Sequence, residues 1–420
     1  MMNKIGNDTA FVEEVLGDLI KVDDFTEKLL NISQTVRKEG QAAEHALGIF
    51  RSDYIIDSRN VMKQVEVNAI SVSFAGLAPS VADFHRYTLQ NFQNLPSSVI
   101  EQMLPENSSL KDVAQALVDA HAVYGKAEAA ILVVVEEEVV NIMDQKLIEW
   151  TVKKANSDIK LFRRTFHQLD AATCLGPNKE LLLKVQGHLN TVETVELAVV
   201  YFRTAYAPAD FAYENAWSVR LLLERSKAIK CPAIHFQLAG VKKFQSVLCN
   251  QDILARYIEP SEPAMVAKVW NTFAQFYPAN QSSLALATAS PSAYVLKPNR
   301  EGGGNNYFDA EISEMLQSIV GTEQEDAYTL MEYINQPPMS GLILRPDVPL
   351  EAQHQAGAQI KTELGVYGTI LSSNSTSGGG GVVVFNRNAG HLLRAKAATS
   401  NETGIMAGAG AIDSPWLVDN

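Results

Sequence analysis

The segment of residues 294–308, YVLKPNREGGGNNYF, combines three features that phosphate chemistry needs. Lys297 supplies a positive charge, and Glu301 offers a hard oxygen ligand for a magnesium ion. The glycines at 302–304 let backbone N–H groups approach an anion closely, because no Cβ stands in the way. Three glycines alone are typical of a flexible turn, and the neighbouring lysine and glutamate keep phosphate binding open as the alternative.

A second candidate site lies on a strand predicted over residues 62–73, MKQVEVNAISVS, where apolar and polar residues alternate. Glu66 and Asn68 are two positions apart, so their side chains point to the same face of the strand. A carboxylate beside an amide oxygen suits magnesium or manganese, although a solvated strand face has the same composition. Together with Glu301, these residues could hold two metal ions that bridge a polyphosphate.

Three arginines, Arg51, Arg203 and Arg394, stand beside apolar or aromatic residues of predicted strands. A guanidinium group can bind a carboxylate through two hydrogen bonds, and a surface ion pair is the simpler interpretation of each arginine alone. The glycine segment is not a Walker A motif, because no Gly-Lys-Ser/Thr follows it, and GxGxxG, GxSxG and HExxH are absent. The candidate anion-binding residues therefore belong to none of the protein classes that these motifs mark.

The 420 residues carry a net charge of −13, which argues against a surface for nucleic acid or an anionic membrane. The length predicts two or three domains. Cys174, Cys231 and Cys249 are far apart and form no CxxC pair, which favours free thiols in a reducing compartment. The sequence shows no signal-peptide layout and no apolar run of membrane-spanning length, so we expect a cytoplasmic protein.

Hydrophobic periodicity predicts alternating helices and strands in the middle of the chain, a pattern that favours a partly parallel α/β unit. The predicted elements are strands at 131–135, 159–165 and 197–203 and helices at 110–124 and 142–154.

Later segments predict a charged helix over 217–230 and a strand pair formed by 361–371 and 382–386. The connection between the paired strands, SSNSTSGGGG at 372–381, contains the richest glycine run of the chain but no nearby lysine or acid. We interpret it as a loose hairpin tip.

Several motifs occur together in a fixed order along the chain: RSDY at 51–54, KQVEVNAISVSFAGLA at 63–78, NIMDQ at 141–145, VVYFRTAY at 199–206, QLAGVKK at 237–243, VLKPNREGGGNN at 295–306 and GHLLRAKA at 390–397. In this combination they resemble the eukaryotic glutathione synthetase family, which belongs to the ATP-grasp carboxylate–amine ligases. The resemblance runs from about residue 23 to residue 415 and so covers nearly the whole chain.

The resemblance implies an α/β (α+β) fold of ATP-grasp architecture, with an antiparallel sheet, a lid and an inserted α/β substrate-binding domain. Residues 1–126 would form the N-terminal part of the core with the metal-binding strand, and 127–240 the substrate-binding domain. Residues 241–420 would form the rest of the core and the lid with the glycine-rich loop. A homodimer is also implied.

The implied reaction begins with phosphorylation of a γ-glutamylcysteine carboxylate by ATP. The amine of glycine then attacks the acyl phosphate, giving glutathione, ADP and phosphate. Two Mg²⁺ ions per active site are the implied cofactors. The partners are γ-glutamylcysteine, glycine and ATP, with no nucleic acid and no membrane.

The resemblance also assigns site residues, position by position. The catalytic residues are Lys297, Gly302, Gly303 and Arg394, and the metal ligands are Glu66, Asn68 and Glu301. The ATP-binding residues are Glu66, Lys242, Lys297, Pro298, Asn299, Arg300, Glu301, Gly302, Gly303, Gly304, Asn305, Asn306, Phe308, Met331, Glu332, Tyr333, Ile334, Glu363, Lys396 and Glu402. The residues that bind the dipeptide or glycine are Arg51, Ile70, Ser71, Val72, Ser73, Asn141, Gln145, Arg203, Thr204, Ala205, Tyr206, Arg394, Ile405 and Met406.

The sequence departs from the family pattern in three places. It begins late, so N-terminal helices that are usual in the family are expected to be missing. Val139 and Val140 replace an acidic/basic pair before NIMDQ, so one dipeptide contact is expected to be missing or supplied by backbone. Met406 stands where a small residue is usual, in a loop that contacts the amine-donor end.

These departures leave alternatives to an active glutathione synthetase. Met406 motivates a ligase for another amine such as β-alanine or serine, since a pocket discriminates one methylene by only ~1–3 kcal/mol. The late start motivates a non-catalytic short isoform, and a generic ATP-binding module without ligase activity is the last alternative.

Overall fold

The computed structural model describes residues 1–187, 191–299, 305–344, 349, 358–374, 381–401, 404–406 and 408–418. Most of the predicted hairpin tip lies outside the described residues, as do the site residues Arg300, Glu301, Gly302, Gly303, Gly304 and Glu402. Within the described ranges, no helix is long and apolar enough to span a membrane.

The helices and strands are numbered in chain order. The α-helices are α1 (Met2–Asn7), α2 (Thr9–Leu16), α3 (Asp24–Lys38), α4 (Leu77–Asn91), α5 (Ser97–Met103), α6 (Ser109–Tyr124), α7 (Ile142–Ala155), α8 (Phe166–Ala172), α9 (Ala216–Arg225), α10 (Ile234–Ala239), α11 (Lys242–Leu248), α12 (Gln251–Tyr257), α13 (Pro263–Thr272), α14 (Gln281–Ala289) and α15 (Ala310–Ile319). The strands are β1 (His45–Ile56), β2 (Met62–Asn68), β3 (Ala130–Val134), β4 (Leu161–Arg164), β5 (Thr173–Leu175), β6 (Leu181–Gln186), β7 (Val192–Phe202), β8 (Ile229–Cys231), β9 (Phe276–Pro278), β10 (Tyr294–Pro298), β11 (Tyr307–Phe308), β12 (Tyr328–Glu332), β13 (Met339–Ser340), β14 (Gln359–Ser373), β15 (Val383–Ala397) and β16 (Gly410–Asp413).

The first sheet is antiparallel, with strand order β16-β15-β14-β1-β2 and β13 beside β14. The predicted strand pair is confirmed and is longer than expected, because β14 and β15 pair as far as Ile360 opposite Ala397. Asp53 on β1 lies opposite Glu66 on β2, and Glu363 lies opposite Arg394. These registers bring polar side chains from four strands together in the middle of the sheet.

Gly365 on β14 provides the space for one of these polar pairs. A Cβ at this position would lie 2.7 Å from Cδ of Arg51 and 2.9 Å from Oδ1 of Asp53. Real Cβ atoms do not approach other heavy atoms so closely, so a larger residue would displace the Arg51–Asp53 pair.

A second, smaller antiparallel sheet has the order β11-β10-β12-β9. Helices α14 and α15 contribute Ala287, Ile312 and Leu316 to its core, where they pack with Leu296 of β10 and Leu330 of β12. This packing fixes β10, the strand that carries Lys297.

The third sheet is the predicted α/β unit, and its partly parallel character is confirmed. The order is β4-β3-β7-β6-β5 with β8 beside β7, and β3 is parallel to β4 and β7. Ile131 and Val133 pack into one core cluster and Leu132 and Val134 into another. Both faces of β3 are therefore buried, which explains its continuous apolar sequence.

Two predicted elements end earlier than expected. The strand predicted over 62–73 ends at Asn68, because Ser71 and Phe74 have φ angles of +51° and +72°, which extended backbone cannot accommodate. The helix predicted over 217–230 ends at Arg225, and Ile229–Cys231 instead extends the third sheet beside β7. Lys230 is buried there, and its ammonium group donates to the backbone oxygens of Glu224 and Ser226.

Candidate active site

The buried carboxylate of Asp53 lies at the centre of the polar cluster on the first sheet. It accepts two hydrogen bonds from Arg51, from Nε at 2.6 Å and from Nη2 at 2.7 Å. Its Oδ2 also accepts from Nη2 of Arg394 at 3.0 Å and from Nδ2 of Asn68 at 2.9 Å. One carboxylate thus joins residues of β1, β2 and β15.

Charge balance explains how two guanidinium groups can lie here. Burial by itself lowers the pKa of Arg51, and the carboxylate of Asp53 outweighs this effect and raises it. Arg394 contacts a second carboxylate, that of Glu363 on β14. Burial raises the pKa of Glu363, an effect that the charge of Arg394 opposes.

A second charged group surrounds Glu66, two residues before Asn68. The amide of Asn68 donates to Oε1 of Glu66 at 3.3 Å, which confirms that the two side chains share a strand face. Nζ of Lys242 lies 3.6 Å from Oε2 of Glu66, and Nζ of Lys297 donates to the backbone oxygen of Val65 at 3.3 Å. A lysine of α11 thus pairs with Glu66, and a lysine of β10 binds the backbone next to it.

The pKa values of this group follow from burial and mutual attraction. Burial by itself raises the pKa of Glu66, but Lys242 and Lys297 outweigh burial and lower the pKa to about 2. Burial lowers the pKa of Lys297, which is only 7% exposed. Glu66 therefore stays ionised, and the two lysines provide positive charge that an anionic ligand could share.

The predicted dipeptide residues form a contiguous group next to Asp53. Nη2 of Arg203 donates to Oγ of Ser73 at 3.0 Å, and Nδ2 of Asn141 donates to the same oxygen at 3.2 Å. Gln145 donates to Asn141 at 2.6 Å. Arg51 donates to the backbone oxygen of Ser73 at 3.3 Å and so connects this group to the Asp53 cluster.

Other members of this group are Ile70, Ser71, Val72, Thr204 and Tyr206. Oγ of Ser71 donates to the backbone oxygen of Thr204 at 3.2 Å. Ile70 and Val72 pack into the core, so only their backbone atoms remain for a ligand. Tyr206 is partly exposed, and its hydroxyl donates to Glu136 at 3.0 Å.

Most of the remaining predicted ATP residues lie on the second sheet and at its edges, whereas Lys396 lies on β15 of the first sheet. Met331 and Glu332 are the last residues of β12. The backbone N–H groups of Glu332 and Tyr333 donate to the backbone oxygens of Gln275 and Ala293, respectively. Buried Asn299 donates to the backbone oxygen of Asp326 and accepts from Thr329, so its amide group fixes the backbone. The other described members are Pro298 at the end of β10, Asn305 and Asn306 before β11, Phe308 on β11, Ile334 after β12, and Lys396, which donates to the backbone oxygen of Asn401.

The loop after β15 contributes two predicted amine-site residues. Ile405 packs against the core cluster that contains Leu392. The side chain of Met406 is half exposed, at 50%.

Sequence reasoning missed Asp53, Asp144 and Glu136. Asp53 follows Arg51 by two positions on a strand, a spacing that could have indicated a shared face. Asp144 is completely buried and accepts backbone N–H groups of Phe74 at 2.9 Å and Gly76 at 2.8 Å. Nothing local in the sequence indicates that contact, because its partners are about 70 residues away.

The sheets and the charged site together define a mixed α/β protein of the ATP-grasp type, with cations and carboxylates placed for an anionic ligand. The family model described as eukaryotic glutathione synthase, ATP binding domain, matches residues 1–417. The chain belongs to this family.

Curated relatives match over the full length of the chain. Glutathione synthetase of Homo sapiens is 36% identical over 427 residues, covering 100% of this chain and 84% of that protein. The Xenopus laevis glutathione synthetase is 34% identical with the same coverage. The chloroplastic glutathione synthetase of Solanum lycopersicum is 33% identical over all of this chain and 73% of its own length.

A solved structure of a glutathione synthetase-like effector from Globodera pallida, in its apo form, has the same fold. Its TM-score is 0.73 at 22% sequence identity, covering 99% of this chain and 84% of that one. The predicted family and fold are confirmed.

Replacing Asp53 with asparagine is expected to destabilise the chain by about 3 kcal/mol, because Arg51 would lose the charge that compensates its burial and Arg394 would keep only that of Glu363. The measurement is the free energy of unfolding from urea denaturation.

Asp57→Asn is the matched control, since Asp57 pairs with Arg59 at the same spacing but the Arg59 side chain is 70% exposed. We expect a clearly smaller loss in that variant. Equal losses of unfolding free energy in the two variants would show that Asp53 stabilises the fold no more than an aspartate paired with an exposed arginine.

Proposed function

We infer that this chain is a glutathione synthetase, an ATP-dependent ligase that joins γ-glutamylcysteine to glycine. The observation that carries the inference is the family match over residues 1–417, which spans the whole charged site. The products are glutathione, ADP and phosphate.

The chemistry requires activation of a carboxylate, which is a poor acylating agent until it carries a good leaving group. Transfer of the γ-phosphoryl group of ATP to a carboxylate oxygen releases ADP and forms an acyl phosphate. The amine of glycine then attacks the acyl carbon, loses a proton and displaces phosphate. Such transfers depend on alignment and charge neutralisation more than on proton chemistry.

We assign the nucleotide phosphates to Lys242, which pairs with Glu66, and to Lys297, which binds the backbone oxygen of the neighbouring Val65. Arg394 would hold the substrate carboxylate near the acyl phosphate, because Asp53 and Glu363 fix its guanidinium group at the centre of the sheet. Gly302 and Gly303 would close over the phosphates. Met331, Glu332, Tyr333 and Ile334 would contact the adenine at the edge of the second sheet.

Magnesium is the proposed cofactor, with Glu66, Asn68 and Glu301 as its ligands. The donors fit, since Glu66 stays ionised and carboxylate and amide oxygens are hard ligands. Both described hydrogen bonds of the Asn68 side chain use its nitrogen, so Oδ1 is the atom that would bind the ion. Bound Mg²⁺ would neutralise charge on the transferring phosphoryl group.

Three further proposals concern the domain division, the oligomeric state and the location of the protein. The division at 1–126, 127–240 and 241–420 is supported by the third sheet, whose strands run from Ala130 to Cys231. A homodimer rests on the family resemblance alone, and light scattering of the purified chain tests it. The free thiols of Cys174, Cys231 and Cys249 support a reducing compartment such as the cytoplasm, and imaging a tagged chain tests that location.

The purified chain with ATP, Mg²⁺ and γ-glutamylcysteine is expected to release ADP when glycine is added. Lys297→Ala and Glu301→Ala are expected to lower turnover at least about 100-fold, which is ~2.7 kcal/mol of transition-state stabilisation. Lys243→Ala is the control, because Lys243 pairs with Asp326 instead of Glu66. Faster turnover with β-alanine or serine, confirmed by product mass, would favour the other amine, and no turnover by the folded chain would contradict a ligase.

Glu136 has a geometry suited to the ammonium group of the dipeptide. Its carboxylate is partly buried and accepts from the hydroxyl of Tyr206 at 3.0 Å. Burial raises the pKa of Glu136, and the charge of Asp210 adds to this effect, whereas the Tyr206 hydroxyl and the charge of Arg203 oppose it. We propose that Glu136 supplies the contact whose loss Val139 and Val140 led us to expect.

Glu136→Gln is expected to raise the KM for γ-glutamylcysteine about tenfold, which is ~1.4 kcal/mol. The preference over the analogue lacking the α-ammonium group should fall by the same factor. Glu138→Gln, an exposed residue of the same segment, makes the identical charge change and should alter neither value. An unchanged preference in Glu136→Gln would assign Glu136 a structural role only.

A further inference from the structure

The loop that carries Arg203 and Tyr206 has an unfavourable backbone conformation at its centre. Ala205 has a φ of +74° and is completely buried. Residues other than glycine rarely adopt this left-handed conformation, which costs them roughly 1–2 kcal/mol. Contacts from the surrounding structure must therefore hold the loop in place.

Two of the side chains that contact this loop from outside it are Asp210, whose Oδ2 accepts from the backbone N–H groups of Tyr206 at 2.9 Å and Ala207 at 3.1 Å, and Gln237 on α10. Nε2 of Gln237 donates to the backbone oxygen of Ala205 at 2.7 Å, and the side chain is buried, with Gln237 only 5% exposed. The bond joins residues 32 positions apart in the sequence. This hydrogen bond holds the backbone of Ala205, which lies between Arg203 and Tyr206 in the chain.

A buried arginine fixes which end of the Gln237 amide faces the loop. Nη2 of Arg220 donates to Oε1 of Gln237 at 3.0 Å, so the amide nitrogen is the end that faces Ala205. Arg220 is itself completely buried, pairs with Glu224 at 2.9 Å and lies 4.1 Å above the ring of Phe202. Phe202 directly precedes Arg203, so the same cluster also packs against the start of the loop.

We propose that Gln237 is a positioning residue for the dipeptide, holding residues 203–206 in the conformation that presents Arg203 and Tyr206 to it. The proposal rests on the proposed function for the identity of the ligand. Gln237 acts through the loop and touches neither the nucleotide nor the reacting atoms. Its loss should therefore affect binding of the dipeptide selectively.

The test is Gln237→Glu, in which the new carboxylate, ionised beside Arg220, still accepts from Arg220 but cannot donate to Ala205. We expect the KM for γ-glutamylcysteine to rise at least about tenfold, the effect of losing one buried hydrogen bond. The KM for ATP should stay within about twofold, because the nucleotide residues do not depend on this loop. Gln245→Glu, which also places a carboxylate at a buried glutamine, controls for burial of charge and should leave the dipeptide KM within about twofold.

Ala205→Gly provides the second variant, since glycine adopts a positive φ without strain. Combined with Gln237→Glu, it should recover at least about threefold of the lost dipeptide affinity, because the loop then needs less external support. Parallel rises in both KM values, or no recovery in the double variant, would overturn the proposal. Absence of turnover by the unchanged chain would contradict the proposed function and this inference together, whereas an unchanged dipeptide KM in an active Gln237→Glu enzyme would contradict the inference alone.

Discussion

The buried carboxylate of Asp53 compensates the charge of Arg51, shares the charge of Arg394 with Glu363 and accepts from the amide of Asn68. Arg51 reaches it along β1, Arg394 from β15 and Asn68 from β2. Leaving a guanidinium group buried without a partner costs several kcal/mol, so the order of these strands and the position of their charges depend on each other. The site is therefore built into the sheet, with Gly365 leaving the space that the Arg51 side chain occupies.

The second charged group depends on the same arrangement, because β2 carries Asn68 to Asp53 and Glu66 to the lysines. The pKa of Glu66 lies near 2 in the folded chain, below its ordinary value of 4.5. Its ionised form thus stabilises the fold fully above pH 4.5 and loses that contribution as the pH falls towards 2. Over the physiological range Glu66 therefore keeps its charge.

Local patterns in the sequence predicted the parts of the site that lie on one strand or one loop. The two-residue period placed Glu66 and Asn68 on a common face, and hydrophobic periodicity predicted the strand at 131–135. The end of β2 could not be predicted, since Ser71 and Phe74 adopt positive φ angles that only their tertiary surroundings support. The charged appearance of 217–230 was misleading for a similar reason, because Arg220, Glu224 and Lys230 are buried against partners from other elements. The contacts of Asp53 and Gln237 are likewise non-local, and the family resemblance predicted the site residues but not the side chains that hold them in place.

Crystal structures of the unchanged chain and of Asp53→Asn, both without ligands, test the central claim most directly. The account predicts that the sheet stays intact while the guanidinium groups of Arg51 and Arg394 move apart by more than about 1 Å, since like charges without a shared carboxylate repel each other. Arginines that keep their positions in the variant would show that the sheet alone orders the site and that Asp53 does not organise it.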